Sequence, residues 1–521
     1  MAQAASEDIL DSVLLTTFKI NGRRYKVLLN HGTLIWETEK SPVTRYSLQL
    51  NDVIGVGYDH YRDYSCCLNS QNNDTVEEIG TEDSIEEFTS HSHSSFLIHY
   101  TFKEKNNKWV YCKLLVAHKE PRIVDKWLTV IKSYLKGFTQ RPKNLLIFVN
   151  PYGGKKRGLK IYEKKVKPLL DLAGVKVDLR ITQRANHAKE TLLTENLEGF
   201  DGIACVGGDG TFSEIMNGLL IRTTLDQGLD ASDLDCEYPR PKIRVGVIPG
   251  GSTDTIAYCI HGTTDIRTAV LHIVIGQSTG LDVSSVHNKS KLLCFYASVM
   301  SYGYLGDIIR DSDNFRWMGP KRYNYSGFKS FIANHGYEGE IVFSVNESSA
   351  PLDSKCLKDC RRCQSQRDLC ELDPQSASDS KELKRIRGKF LMVSGANLSC
   401  ACPRSPNGIS PHCHLGDGCL DLVLVHHTSL WNNLRLLLTL SNRMKSIYDL
   451  PFVEVHRTTH FTFQALPIPA RRSSDFSVWN CDGEVVADTC IFIRTHCQLI
   501  EVFFRGVESC LEDEESGCFC L

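Results

Sequence analysis

The chain contains no run of 18 apolar residues, and so offers no candidate for a membrane-crossing helix. It has almost no net charge: 60 Lys and Arg stand against 62 Asp and Glu, a formal −2 at pH 7. That balance argues against nucleic-acid binding driven by bulk attraction. Its first ten residues carry Glu7 and Asp8 and no basic cluster, unlike a secretory leader. It lacks the GxxxxGK(S/T) nucleotide loop, a GxGxxG in a dinucleotide-binding setting, and the HRD and DFG pair of protein kinases. It also lacks a paired CxxC…CxxC metal motif, although cysteines are plentiful. An odd 21 of them, without a leader, read as reduced intracellular thiols rather than as a disulfide frame.

What is present is ordinary globular material: 42% of residues are apolar, and 521 residues leave room for about three domains. Charge is uneven along it. Residues 101–167 hold 18 basic against 4 acidic side chains, whereas Asp74–Glu87 holds seven acids and no base. The N-terminal stretch has strand-like runs at Leu14–Ile20, Arg24–Leu29, Leu34–Glu37, Arg45–Leu50, Phe96–Phe102 and Lys108–Ala117, broken by Asn21-Gly22 and His31-Gly32 turns. A long polar loop, 69–95, divides them. Pro121–Lys136 then spaces Ile123, Trp127, Val130, Ile131 and Leu135 along a helix.

From Arg141 strands alternate with helices: Leu145–Val149, Val175–Ile181, Ile203–Val206 and Ile243–Ile248 against Leu159–Ala173, Asn186–Asn196 and Thr211–Leu220. That alternation predicts a parallel sheet with helices on its faces. After about Gly280 strands dominate: Leu292–Met300, Gly339–Val345, Lys389–Ser394, Leu420–Val425, Phe452–Thr459 and Ile491–Phe504. A helix at Leu430–Tyr448 and a Cys- and Ser-rich insertion at 346–384 interrupt them. The fold class is therefore α+β and multidomain: a β-rich domain over 1–137, an α/β nucleotide lobe over 141–280 and a β-rich lobe over 281–510. The cleft between the last two is the expected ligand position.

Three glycine-rich turns carry the chemistry. Gly207-Gly208-Asp209-Gly210-Thr211 ends an apolar strand and opens a helix, where free N–H groups form an anion nest. Asn150-Pro151-Tyr152-Gly153-Gly154-Lys155 and Pro249-Gly250-Gly251-Ser252-Thr253-Asp254 follow strands of the same sheet. Such turns converge at the carboxyl ends of parallel strands. An acid beside a phosphate site is costly unless it takes a proton or steers magnesium, which singles out Asp209.

These motifs resemble the diacylglycerol kinase catalytic fold, shared by diacylglycerol, sphingosine and ceramide kinases. Ser301–Arg322 and Trp479-Asn480-Cys481-Asp482-Gly483-Glu484 pick out the lipid-kinase branch. The N-terminal strands and their Trp-bearing helix resemble a pleckstrin-homology domain, a β-barrel closed by a C-terminal helix. With Cys356-x-x-x-Cys360-x-x-Cys363 this matches the ceramide kinases in particular. The resemblance implies ATP on Asn150, Pro151, Tyr152, Gly153, Gly154, on Thr182, Gln183, Arg184, Ala185, Asn186, and on Glu214, Gly250, Gly251 and Ser252. Asp482, Gly483 and Glu484 would reach it from the β lobe, and Arg316 and Arg322 would hold its phosphates, as guanidinium forks can. Asp209 is the implied general base, within the substrate-contacting Gly207, Gly208 and Gly210, and magnesium the implied cofactor. The hairpin Pro411–Asp421 reads as structural, or as a second magnesium site.

The resemblance places Ile309 and Asp307 at the lipid head, with Asp311 able to contact it, and substrate choice turns on Ile309. Sphingosine kinases place an acid there to meet an amine; an amide needs none and would leave a buried carboxylate unpaired, so Ile309 fits an N-acylated lipid. Three cysteines, Cys356, Cys360 and Cys363, have near-zinc spacing, with Cys370 or Cys400 and Cys402 as a fourth ligand, or are surface thiols on an insertion. Trp431, Leu438 and Met444 stand at a calmodulin-like spacing over 430–445, although core packing explains them as well. Cys518-Phe519-Cys520-Leu521 matches a prenylation box behind an acidic run that opposes it. The expected activity is ATP-dependent phosphorylation of ceramide, with diacylglycerol or sphingosine as the alternative substrate. A lipid-binding scaffold with an inactive kinase lobe, or an NAD kinase, is the rival class. Expected surroundings are the cytoplasm and the Golgi or plasma membrane surface, with phosphoinositides met by Lys19, Arg23, Arg24 and Lys26, a calcium response, and no nucleic acid.

Overall fold

Inward-facing apolar residues at alternate positions build the N-terminal sheet. The computed structural model describes residues 13–39, 42–59, 94–319, 321–345, 354–372, 382–442, 445–467 and 476–508. The acidic run Asp74–Glu87, Met444 and the Cys518–Leu521 box lie outside the described residues. Strands β1 (Leu14–Ile20), β2 (Arg23–Asn30), β3 (Thr33–Thr38), β4 (Arg45–Gln49), β5 (Val53–Tyr58), β6 (Ser95–Lys103) and β7 (Trp109–Ala117) form a seven-stranded sheet ordered β4-β3-β2-β1-β7-β6-β5. Asn21-Gly22 and His31-Gly32, all at positive φ, close its first two hairpins, as the twist of paired strands favours. Helix Pro121–Gly137 buries Val124, Trp127, Leu128 and Ile131. Trp127 meets Phe18 edge-on at 5.1 Å and donates to Thr16 Oγ1 at 3.1 Å. Strand β5 is an addition to the sequence reading: Gly55 and Gly57 dilute its apolar pattern.

Residues 1–143, with 162–176 and 270–277, make one compact unit, and the remainder of the chain makes a second. In the second, β8 (Asn144–Val149), β10 (Gly202–Gly207) and β11 (Arg244–Pro249) pair in parallel, with β9 (Lys176–Ile181) beyond β8. The later strands are β12 (Ser278–His287), β13 (Leu292–Tyr296), β14 (Val299–Gly303), β15 (Tyr337–Val345), β16 (Glu382–Ala396), β17 (Leu420–His426), β18 (Val453–Thr458), β19 (His460–Ala465), β20 (Trp479–Cys481), β21 (Glu484–Val486) and β22 (Cys490–Phe503). They join the parallel strands in one 15-stranded sheet. Strand β22 is the junction: it pairs antiparallel with β12 and β19, and in parallel with β11 at Val245–Val502.

Two departures from the sequence reading bear on the site. The strand expected over Leu292–Met300 is two strands, because the N–H groups of Ala297 and Ser298 turn to the carboxylate of Asp482. Helices Tyr304–Ser312 and Lys321–Ala333 occupy a region read only as a motif. The helix expected over Leu430–Tyr448 ends at Leu440, and a 3-10 turn follows at Ile447–Asp449.

Candidate active site

The three glycine turns meet through their backbones. A Cβ on Gly251 would lie 2.5 Å from Gly208 Cα, and one on Gly154 2.5 Å from the Gly251 carbonyl oxygen. Glycine at 154 and 251 is therefore needed first so that the turns can pack on each other, a contact that any side chain would block. Polar groups lock the arrangement. Asn150 Oδ1 accepts from the N–H groups of Tyr152 and Gly153 at 2.9 and 3.0 Å, and its Nδ2 donates to Thr211 Oγ1 at 3.0 Å. Asp254 Oδ1 accepts from Gly251 N at 2.7 Å, and Gly250 N donates to the Gly207 carbonyl at 3.0 Å. Asp254, which the sequence reading left without a role, is thus the brace of the third turn.

Two carboxylates arrive from opposite lobes. Asp209 opens helix Asp209–Asp226 and accepts from Thr255 N at 3.1 Å and Ile256 N at 2.9 Å. Asp482, in the tight β20–β21 turn, accepts from Ala297 N at 2.8 Å and Val299 N at 2.9 Å. Burial raises the Asp209 carboxyl above its ordinary value, although those two N–H groups pull it back. Burial lifts Asp482 to about 6, and the negative charge of nearby Asp209 adds to the effect. Glu484 is exposed and reaches within 3.8 Å of the place a Cβ on Gly210 would take. Asp209, Asp482 and Glu484 therefore surround one side of the glycine turns with hard oxygen donors, the donor chemistry that magnesium takes.

The other predicted nucleotide residues divide. Thr182 is buried, its N–H bonded to the Val149 carbonyl at 2.9 Å, which places 182–186 beside the first turn. Glu214 Oε2 accepts from Ala188 N at 3.2 Å, so its immediate work is to hold the start of helix His187–Thr194. Arg184 pairs with Glu190 at 2.7 Å and Gln183 N donates to His187 Nδ1, both on the surface. Arg322 lies against Asp313 at 3.3 Å and over the Tyr323 ring at 4.7 Å. The Arg316 side chain is outside the described residues.

On helix Tyr304–Ser312, Ile309 is half-buried. Asp307 is buried and already accepts from Arg310 Nη2 at 2.9 Å, Ser477 Oγ at 2.8 Å and the Tyr337 hydroxyl. A carboxylate offers roughly four lone-pair directions, so Asp307 keeps little for a ligand.

Ion pairs hold the hairpin 411–421. Buried Arg457 pairs with Asp417 and, at 3.2 Å, with Asp421, while Arg362 Nε meets Asp417 at 2.6 Å. Both aspartates are thus already engaged by guanidinium groups, the structural role considered for the hairpin from sequence. Cys356, Cys360 and Cys363 do come together, with His414 as the fourth donor, all ligand atoms within 4.8 Å of one another. Cys400 lies elsewhere, its thiol 3.6 Å from Ser298 Oγ, so it is not the fourth ligand. Cys370's side chain lies outside the described residues.

The family described as the diacylglycerol kinase catalytic domain matches residues 144–286, which contain all three turns. That of the ceramide kinase C-terminal domain matches residues 297–521. By class the chain is an ATP-dependent lipid kinase with a diacylglycerol-kinase-type catalytic domain. It is 39% identical to a human ceramide kinase over 447 residues, covering 80% of this chain and 83% of that protein. The mouse ceramide kinase matches at 39% over 80% of this chain and 84% of that one. Ceramide kinase 1 of Caenorhabditis elegans matches at 32% over 80% and 75%. The chain belongs to the ceramide kinase family.

Arg457→Met is expected to destabilise the second unit by about 3–5 kcal/mol, because it leaves buried Asp421 with hydroxyl donors in place of its guanidinium and Asp417 with Arg362 alone. Urea unfolding measures this; a loss under about 1 kcal/mol would show that the arginine does not hold the hairpin.

Proposed function

We propose that this chain transfers the γ-phosphate of ATP to the primary hydroxyl of ceramide, giving ceramide 1-phosphate and ADP. The observation that carries the reading is Asp209, anchored by two N–H groups at the junction of the glycine turns and faced by Asp482 and Glu484. The N–H groups where helix Asp209–Asp226 opens cradle the phosphates, and the nucleotide lies along 150–154, 182–186 and 250–252. As the lipid oxygen bonds to the γ-phosphorus, the bond to the bridging oxygen of ADP breaks, and the hydroxyl proton passes to an Asp209 oxygen. Magnesium, held by Asp482 and Glu484 oxygens, would neutralise phosphate charge. Ile309 and the 207–210 turn would line the lipid head site, an apolar neighbour suited to an amide.

Around this core, residues 1–137 act as a pleckstrin-homology-like targeting domain, 141–280 as the nucleotide lobe and 281–510 as the lipid lobe. Lys19 stands opposite Arg24, and Lys26 opposite Thr17, so three basic side chains share one face of the first hairpin, with Arg23 at its turn opposite Ile20, to meet phosphoinositide at a cytoplasmic membrane surface. The Cys356, Cys360, Cys363 and His414 cluster holds zinc. Its Cys356–Cys363 sulfur separation is 3.7 Å, the edge of a tetrahedron with Zn–S arms of about 2.3 Å. The shared hydrogen bonds pull Cys360 and Cys363 below the ordinary thiol range, with His414 adding to the effect, and hold Cys356 above it as their donor.

Radiolabelled ATP with a panel of ceramide, sphingosine and diacylglycerol tests the assignment, label in ceramide being expected. Asp209→Asn should lower turnover by about 10²-fold or more while ATP still binds. In the unmodified enzyme kcat/KM should rise with pH along an acid limb above the ordinary carboxylate range, since the base must be ionised and burial raises it. Near-normal turnover of the variant would remove Asp209 from the reaction.

Ile309→Asp should shift kcat/KM by at least about tenfold from ceramide towards sphingosine, whose ammonium pairs with a carboxylate. An equal loss on both lipids, or none, would take Ile309 out of the head site.

Metal analysis of purified protein should find about one zinc per chain, lost in His414→Ala and Cys360→Ala. Finding none would return the cluster to reduced thiols.

A further inference from the structure

Two helices carry the same stripe of apolar residues, turned to the outside. On Lys321–Ala333, Tyr325, Phe328 and Ile332 are exposed, Phe328 by 63%, with Lys329 among them. On Leu430–Leu440, Trp431, Leu434 and Leu438 are exposed, Trp431 by 80%, with Arg435 among them. Both stripes run i, i+3, i+4, i+7, apolar at the first, second and fourth places and basic at the third. That spacing ordinarily marks the face a helix buries in the core, yet the buried residues here are Ser326 on one helix and Asn433, Leu436 and Thr439 on the other.

The helices are neighbours. Asn433 Nδ2 donates to Asn334 Oδ1 at 2.6 Å, just past the end of the first helix. Ser330 and Phe331 share a small apolar pocket with Leu436 and Leu437. Trp317, 82% exposed, stands on the turn that leads into the first helix. Neither 321–333 nor 430–445 contains an aspartate or glutamate, while Lys321, Arg322, Lys329, Arg435, Arg443 and Lys445 supply only positive charge. Lys329 and Arg322 are partly offset by Asp311 and Asp313. Core packing, the sequence expectation for Trp431 and Leu438, is overturned by their exposure.

We propose that this helix pair is a membrane-docking face that seats on an anionic lipid bilayer. Exposed bulky apolar side chains interleaved with basic ones, on helices that carry no acid of their own, are what an element lying in the bilayer interface requires. The face also adjoins the lipid-site helix: the Tyr304 hydroxyl donates to the Gly327 carbonyl at 3.2 Å, and Ser326 Oγ donates to Asp311 at 2.8 Å. It rests on the ceramide reading in one respect, since such a substrate must be drawn from a bilayer. Calmodulin is the less suitable occupant: it wraps its target helix, and Asn433, Leu436 and Thr439 are buried where it would have to wrap.

The test uses the full chain and vesicles of phosphatidylcholine with phosphatidylserine. The variant Phe328→Ser, Ile332→Ser, Trp431→Ser, Leu438→Ser should lose at least about tenfold in vesicle partition and in turnover of long-chain ceramide within vesicles. Turnover of a short-chain, water-dispersed ceramide should stay within about twofold of normal. Loss of vesicle binding with no ceramide turnover even in the unmodified chain would sink the substrate reading and keep the docking face. Unchanged partition, or loss of calcium–calmodulin binding in its place, would overturn the proposal. If the variant does not fold, lipids brominated on their acyl chains decide the matter. Emission that disappears in Trp431→Phe should be quenched on vesicles, and unquenched emission would overturn the proposal.

Discussion

The structure depends on strand β22 being shared. One edge pairs with β12 from Phe492 to Phe503, and the other pairs with β19 over Cys490–Arg494 and then, at Val502, with Val245 of β11. Because one strand belongs to both regions, the β20–β21 turn is carried on the same sheet as the glycine turns. Asp482 can therefore lie close enough to Asp209 for their charges to interact. Val502, Ile500 and Leu499 are buried in the core that also holds Phe212, Val245 and Val247, so the junction is fixed by packing as well as by hydrogen bonds.

A second constraint acts within the site. The glycine turns touch backbone to backbone, and the carboxylates around them are held by N–H groups rather than by basic side chains. Asp209, Asp254 and Asp482 all follow this pattern, and burial raises all three. A carboxylate poised in this way is more basic than one paired with arginine, which suits proton acceptance. The contrast lies in the hairpin 411–421, where Arg457 and Arg362 neutralise Asp417 and Asp421 and leave structure alone.

Legibility followed the physics of each feature. The glycine turns could be read because close backbone approach demands a residue type that stands out in sequence, although its first purpose is turn against turn. The cysteine triad could be read, but His414 could not, since it lies 51 residues beyond Cys363 and only the fold brings it near. Arg457 is one arginine in a strand and carries no local signal. Leu430–Leu440 was assigned to the core because apolar residues at that spacing ordinarily face inwards, whereas here they face out. Asp307 was placed at the lipid head, and its three protein donors became visible only in three dimensions.

The central claim is that residues of the parallel turns and of the β20–β21 turn form a single nucleotide site. Hydrogen–deuterium exchange of the full chain, with and without magnesium and a non-hydrolysable ATP analogue, tests it most directly. The account predicts protection of 149–155, 207–211 and 249–256 together with 297–299 and 481–484. Protection confined to the parallel turns, with the last two segments exchanging as in the free protein, would contradict it.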